Sequence, residues 1–266
     1  MEFNKYDLTA DKVYRMIEEE NGKIIQPYIP LYHGSPEMSF TPIFGKGQSK
    51  HDYGPGLYTT LDINLAREWA VATSTGDGYL HKYHLETKDL RILNFNDLLK
   101  AKDDGAIPVN ESLDGENHIG VLTWLATLVK HRNPANSLKD RKTADKLIEN
   151  YYDSSIEDYD VIIGYRADDS YFSFAKHIIA GRANIELLDD MLRTGNLGDQ
   201  VFIQSKKAFD NLREVDMNKD GYFELVSNKV FKSQYDERDK SAREYVDSIL
   251  NNIDINDLSD LIDKYI

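Results

Sequence analysis

Cysteine is missing from all 266 residues, which rules out disulfides, thiol nucleophiles and thiolate metal sites and fits a reducing compartment. A basic excess is missing too. The formal net charge is −14, which argues against a large non-specific nucleic-acid footprint, because that needs a positive face to displace counterions. A locally basic cleft would still admit nucleic acid as a substrate. No stretch approaches the roughly 20 apolar residues of a membrane span. The opening MEFNKYDLTADKVYRMIEEENG is charged throughout and lacks the apolar core of a signal peptide, so a cytoplasmic protein with no membrane partner is expected. Also lacking are a Gly-x-Gly-x-x-Gly turn, a phosphate loop, a His-Glu-x-x-His helix and any internal repeat. His81 and His84 lie three apart on an expected strand and so face opposite sides; no metal is expected.

What is present suits an ordinary globular protein, with 41% hydrophobic and 29% charged residues. Its 17 tyrosines suit either a binding groove or plain strand surfaces. Periodicity predicts a short helix over 8–20, strands within 24–35 and 53–60, and a helix over 63–73 capped by Asp62. In that helix Leu65, Ala66, Trp69 and Ala70 fall at helical spacing. Strands over 79–86 and 90–95 read as a pair, a loop follows to 116, and helices are expected near 117–132 and 138–152. The apolar run YDVIIGY (159–165) reads as a buried strand, with helices near 170–180 and 184–194 after it. Then come a strand at 200–204, a short helix capped by Ser205 and a strand at 222–226. From about 233 the chain reads as an acidic amphipathic helical appendage, with Tyr245, Ile249 and Ile253 on one apolar stripe and a protein partner as a possible occupant. The organisation is an N-terminal helix (1–27), a central domain (28–232) and this appendage (233–266). Asp216-x-Asn218-x-Asp220-Gly221 resembles the start of a calcium loop, but Ser227 stands where the bidentate Glu belongs, so a polar turn is the better reading.

Four separated pieces carry chemistry as a set: LYHGS (31–35), DYGPGLYTT (52–60), RADDSYF (166–172) and GDQVFI (198–203). Singly, each has a plain structural explanation; a lone strand histidine is usually a satisfied structural one. In this order, with AREWA (66–70) following the second piece, they resemble the ADP-ribosyltransferase superfamily, in the His-Tyr-Glu branch of diphtheria toxin and the poly-ADP-ribose polymerases. They are also similar to a bacterial and phage family of transferase-like domains of unknown function, with Tyr53 and Leu57 where that family has Phe. The likeness spans roughly 28–212.

This resemblance implies an α+β fold with a split antiparallel sheet that holds NAD as co-substrate. His33 would bond the adenosine-side ribose, the Gly34 backbone would pair with the nicotinamide carboxamide, and Ser35 lies with them. Tyr58 would stack on the nicotinamide ring, an aromatic contact suited to a flat cation. Gly54 and Gly56 would let that strand start abruptly beside the ligand. The superfamily places Glu where this chain has Gln200. The transition state is oxocarbenium-like, so the missing charge costs on the order of 1–1.5 kcal/mol, about tenfold in rate. Asp168 or Asp169, directly after the buried strand, is a candidate to supply that charge or to deprotonate the acceptor, and equally a candidate helix cap. The loop carrying Gly45, Lys46, Gly47, Lys50 and His51 could close over the NAD pyrophosphate, with an ordinary solvated surface loop as the plainer reading. The implied activity is release of nicotinamide and transfer of ADP-ribose to a macromolecular acceptor, nucleic acid or protein, as a toxin, phage-defence effector or phage-encoded modifier. The arginine-modifying branch's Ser-Thr-Ser strand and Gln/Glu-x-Glu pair are not evident. The alternatives are a catalytically reduced module that binds NAD or ADP-ribose, and an interaction protein.

Overall fold

Eight strands and six α-helices are found among residues 28–47, 50–95, 119–133, 135, 137–167, 169–183, 188, 199–217 and 223–252, the residues described by a computed structural model. In chain order they are β1 (Tyr28–Ser35), β2 (Leu57–Thr59), α1 (Ile63–Ala72), β3 (Gly78–Glu86), β4 (Ile92–Asn94), α2 (Ile119–Arg132) and α3 (Leu138–Tyr151). A 3₁₀ turn (Ser154–Asp158) leads to β5 (Val161–Tyr165), α4 (Asp169–Ile179), β6 (Asp199–Ile203), α5 (Lys206–Asp210), β7 (Leu212–Val215), β8 (Phe223–Val226) and α6 (Asn228–Asn251). The helix predicted over 8–20, the one predicted over 184–194 apart from Leu188, the residue Asp168 and the stretch 96–118 lie outside the described residues.

The fold is α+β, with two sheets that are antiparallel except for one pair. In the first, β3 lies between β1 on one side and β7 and β8 on the other. In the second the order is β2-β6-β5-β4, and only β4 with β5 runs parallel. Two main-chain hydrogen bonds of 2.9 Å between Tyr32 and Thr60 tie β1 to the end of β2. Strand alternation fixes which side chains go where. Ile29 and Leu31 of β1 meet Leu57, Val161, Ile163, Val201 and Ile203 of the second sheet in one core. The opposite face of that sheet presents Ile162 and Phe202 to Leu122, Trp124, Leu125 and Val129 of α2. Helix α1 covers the far face of the first sheet, where Ala66, Ala70 and Val71 pack on Leu80 and Val226.

The local signals match the observed helix starts. Asp62 accepts from the main-chain N of Asn64 at 2.8 Å, and Ser205 from that of Ala208 at 3.0 Å. Two expectations need correction. The strands near 79–86 and 90–95 do not pair with each other: β3 pairs with β1 in one sheet, and β4 runs parallel to β5 in the other. Helix α6 begins at Asn228, not near 233, and its buried stripe is Val246 with Ala242, Ile249 and Leu250 against the core, while Tyr245 is exposed. A further strand, β7, carries no strand signal in the sequence, since its residues are exposed or half-buried and show no apolar alternation.

Candidate functional site

His33, Tyr58 and Gln200 sit where the two sheets come together. β1 and β2 bring His33 Nδ1 to 2.8 Å from the Tyr58 carbonyl. A carbonyl only accepts, so Nδ1 carries the proton and Nε2 is a bare acceptor. The imidazole stacks on Phe40 at 4.3 Å between centroids. Burial is the largest influence on it and pushes its pKa down to about 4, so it is neutral at pH 7. Tyr58 spends its hydroxyl inside the protein: it donates to the Gly54 carbonyl and accepts from the Tyr53 N–H, both at 2.9 Å. Burial holds that phenol protonated. The Tyr58 ring lies 4.8 Å from Phe202 and 5.0 Å from His51 by centroid, and it lines the cleft.

Gln200 is buried and paired with Asp52, a residue inside the DYGPG piece that carried no expected role. Gln200 Nε2 donates to Asp52 Oδ2 at 2.9 Å and to the Tyr165 carbonyl at 3.4 Å. Asp52 Oδ2 also accepts from the main-chain N of Ala167 at 2.8 Å. On its other oxygen Asp52 meets Arg132 Nη1 at 3.1 Å, and the same nitrogen donates to the Ala167 carbonyl at 2.7 Å. The Arg132 guanidinium lies over the Phe172 ring at 3.7 Å. Burial raises the Asp52 pKa, while Arg132 and the hydrogen bonds from Gln200 and Ala167 oppose that shift. Tyr53 belongs to the same cluster. Its hydroxyl donates to the Tyr165 carbonyl at 2.8 Å and accepts from Trp124 Nε1 at 3.1 Å, which gives the departure from Phe a physical reason.

The glycines fall into two kinds. Gly54 has φ +100°, which favours glycine, and a Cβ there would lie 2.8 Å from the His131 ring. Gly56 lines the cleft and has no room for a Cβ, which would meet Phe202 and the Ile203 carbonyl. Gly34 and Ser35 are not among the cleft's lining residues; the Ser35 hydroxyl accepts from the main-chain N of Glu37 at 3.1 Å. Asp169 opens α4, and neither its side chain nor Asp168 is among those described.

These residues line a cleft of about 720 Å³, within the usual range for small-molecule sites. Lys46, Gly47, Lys50 and His51 line it from the loop before β2. Trp69, from the AREWA piece on α1, lines it as well. Tyr235 and Asp239 reach it from α6, which is docked on α1 by Arg238 to Glu68 and by Lys232 Nζ to the Ala72 carbonyl at 2.8 Å. Glu224, the ninth position of the calcium-like loop, is taken by a two-pronged pair with Arg67 at 2.9 and 3.0 Å.

The family described as "Protein of unknown function (DUF3990)" matches residues 29–105 and 117–213. The chain belongs to DUF3990. No curated protein and no solved structure matches it. The DUF3990 match takes in His33, Asp52, Tyr58, Arg132 and Gln200 and ends at 213, so β8 and the cleft-lining helix α6 lie beyond it.

The lowered His33 pKa has a measurable consequence. The unfolded chain takes up a proton near pH 6.5 that the folded state refuses until about pH 4, so this contribution is present above pH 6.5 and is lost as pH falls to 4. It amounts to about 2–3 kcal/mol. Replacing His33 with Gln is expected to flatten the fall in stability between pH 6.5 and 4.5, as read by urea unfolding. An unchanged slope would show that His33 is not buried in its neutral form.

Proposed function

We propose that the two half-sheets form an ADP-ribosyltransferase-type core that binds NAD in this cleft, releases nicotinamide and transfers ADP-ribose to a macromolecular acceptor. The observation that supports this best is the charge of the lining. In a chain of net charge −14, the cleft gathers Lys46, Lys50, Arg132 and Arg166 against two carboxylates, Asp52 and Asp239. A local positive excess in an acidic protein suits an anionic ligand of dinucleotide size, with its pyrophosphate near the exposed lysines. His33 Nε2 then accepts from a ribose hydroxyl, and Tyr58 and Trp69, which line the cleft, supply the aromatic contacts for a flat cation. In the reaction the bond from the ribose C1′ to the nicotinamide nitrogen breaks with its electron pair going to the ring, which neutralises nicotinamide. A lone pair of the acceptor closes onto C1′, and the acceptor's proton passes to solvent.

Nicotinamide release from NAD tests this reading, followed by labelling of a host lysate with radioactive NAD and treatment with nuclease or protease to identify the acceptor class. The wild-type chain is expected to release nicotinamide, and Tyr58→Ala or His33→Ala to lose at least tenfold in kcat/KM. A variant at either position with full turnover would overturn the site. A second reading is favoured by Gln200, which is neutral where a carboxylate is usual: binding of NAD or ADP-ribose without chemistry. Measurable NAD binding by calorimetry with no nicotinamide release would select it.

A further inference from the structure

The position at which the resembling family carries its glutamate is neutral here, yet a carboxylate lies against it. Gln200 Nε2 donates to Asp52 Oδ2 at 2.9 Å and to the Tyr165 carbonyl at 3.4 Å. Both partners only accept when Asp52 is ionised, so the amide orientation is fixed by chemistry: reversing it would press Oε1 against two acceptors. Oε1 is thereby left as the acceptor atom of a side chain that lines the cleft. An amide whose N–H groups bind a carboxylate is also polarised, which strengthens acceptance at its oxygen. We propose that Asp52 is a positioning residue for Gln200, locking its amide with Oε1 towards the cleft and lending it the negative charge that a glutamate at 200 would carry directly. This rests on the transferase reading above.

The surroundings of Asp52 suit that task. Arg132 and the Ala167 N–H hold the carboxylate from two further directions, at 3.1 and 2.8 Å, so it cannot turn away from Gln200. The same arrangement accounts for the amide at 200. A glutamate there would place a second carboxylate at about the 2.9 Å now spanned by the Gln200–Asp52 hydrogen bond, and two like charges so close in a buried site cannot both ionise. The carboxylate of the site has in effect moved from the strand residue to the loop residue beside it.

The experiment is a charge exchange read by steady-state nicotinamide release from NAD. D52N is expected to lower kcat 30- to 100-fold while KM for NAD stays within threefold, because the interaction strengthens as charge develops on the ribose. Q200E is expected to fall similarly at pH 8 and to recover part of its rate as the pH is lowered and one of the two carboxyls takes a proton. The exchanged protein D52N/Q200E carries the single charge on residue 200 and is expected to return to within tenfold of wild type. A purely structural role for Asp52 predicts neither the kcat–KM split nor this rescue. A folded D52N with wild-type kcat overturns the proposal, and so does a folded exchange variant no faster than D52N. Where D52N does not fold, the exchange variant decides alone: recovery supports the proposal and a folded, inactive protein ends it. Failure of the transferase reading looks different, since the wild-type chain itself would then release no nicotinamide.

Discussion

Replacing Arg132 with Met is expected to destabilise the folded chain by about 3–5 kcal/mol at neutral pH, lowering the melting temperature by on the order of 10 °C. The side chains of Arg132 and Asp52 are only 18% and 9% exposed, so the variant leaves a carboxylate with little access to water and without its cation. Met keeps much of the aliphatic stem, which separates the loss of charge from the loss of packing against Phe172. The sign of the pH dependence follows from Asp52. Burial raises its pKa in the folded state and Arg132 opposes that shift, so the variant's pKa rises further. A folded carboxyl that holds its proton above the unfolded value near 3.9 contributes most below that value, and loses the contribution as pH rises through the folded pKa. The stability difference between wild type and R132M is therefore expected to be largest at pH 7–8 and to shrink towards pH 5. His33 tilts stability the other way over this range, but it does so in both proteins and cancels in the difference. Adding D52N to R132M is expected to restore at least half of the loss, since two residues in one ion pair are not additive. A loss that is the same at pH 5 and pH 8, or a double variant showing the sum of both single losses, would remove the Asp52–Arg132 pair from this account.

Much of the scaffold around this pair was legible in the sequence because its signals are local. The caps at Asp62 and Ser205 and the apolar run of β5 are encoded within a few residues of where they act. His33 and Tyr58 could be placed together because each lies in a distinctive short piece, and the structure joins them through one 2.8 Å hydrogen bond. Sheet partners were not legible. β3 and β4 are adjacent in sequence and carry the marks of strands, but β3 finds β1 while the three residues of β4 find β5, and no local pattern distinguishes those outcomes. Asp52 was hidden for the same reason. Its partners are Arg132 and Gln200, 80 and 148 residues away, and an arginine in the last turn of a helix reads as ordinary compensation of the helix dipole. The position of Trp69 was not legible either: helical spacing groups it with Ala66 and Ala70, and does not show that this face runs to the edge of a cleft.

Gly34→Ala is expected to cost at least about 3 kcal/mol, at the upper end of the range for a forced overpacking, and for a reason other than the one the motif suggests. The resemblance gives this glycine to the ligand, whose carboxamide would approach the bare backbone. In the structure the space a methyl group would occupy is filled by α1: a Cβ on Gly34 would lie 2.0 Å from the Ala66 carbonyl oxygen and 2.4 Å from the Ala70 nitrogen. Gly78, on the neighbouring β3, meets the same helix, with its missing Cβ 2.1 Å from the Ala70 carbonyl oxygen. Two glycines on adjacent strands thus open a trough into which α1 settles, and α1 carries Trp69 at the cleft. The obstructing atoms at Gly34 are main-chain atoms, so relief requires moving the helix and not merely a side chain. Trimming Ala70 to Gly in the G34A background is expected to give no rescue, because it removes a methyl group and leaves the blocking nitrogen in place. Thermal unfolding together with NAD titration separates the two explanations. A large fall in melting temperature with no recovery in G34A/A70G assigns the glycine to helix docking. A G34A protein with the wild-type melting temperature that no longer binds NAD returns it to the ligand.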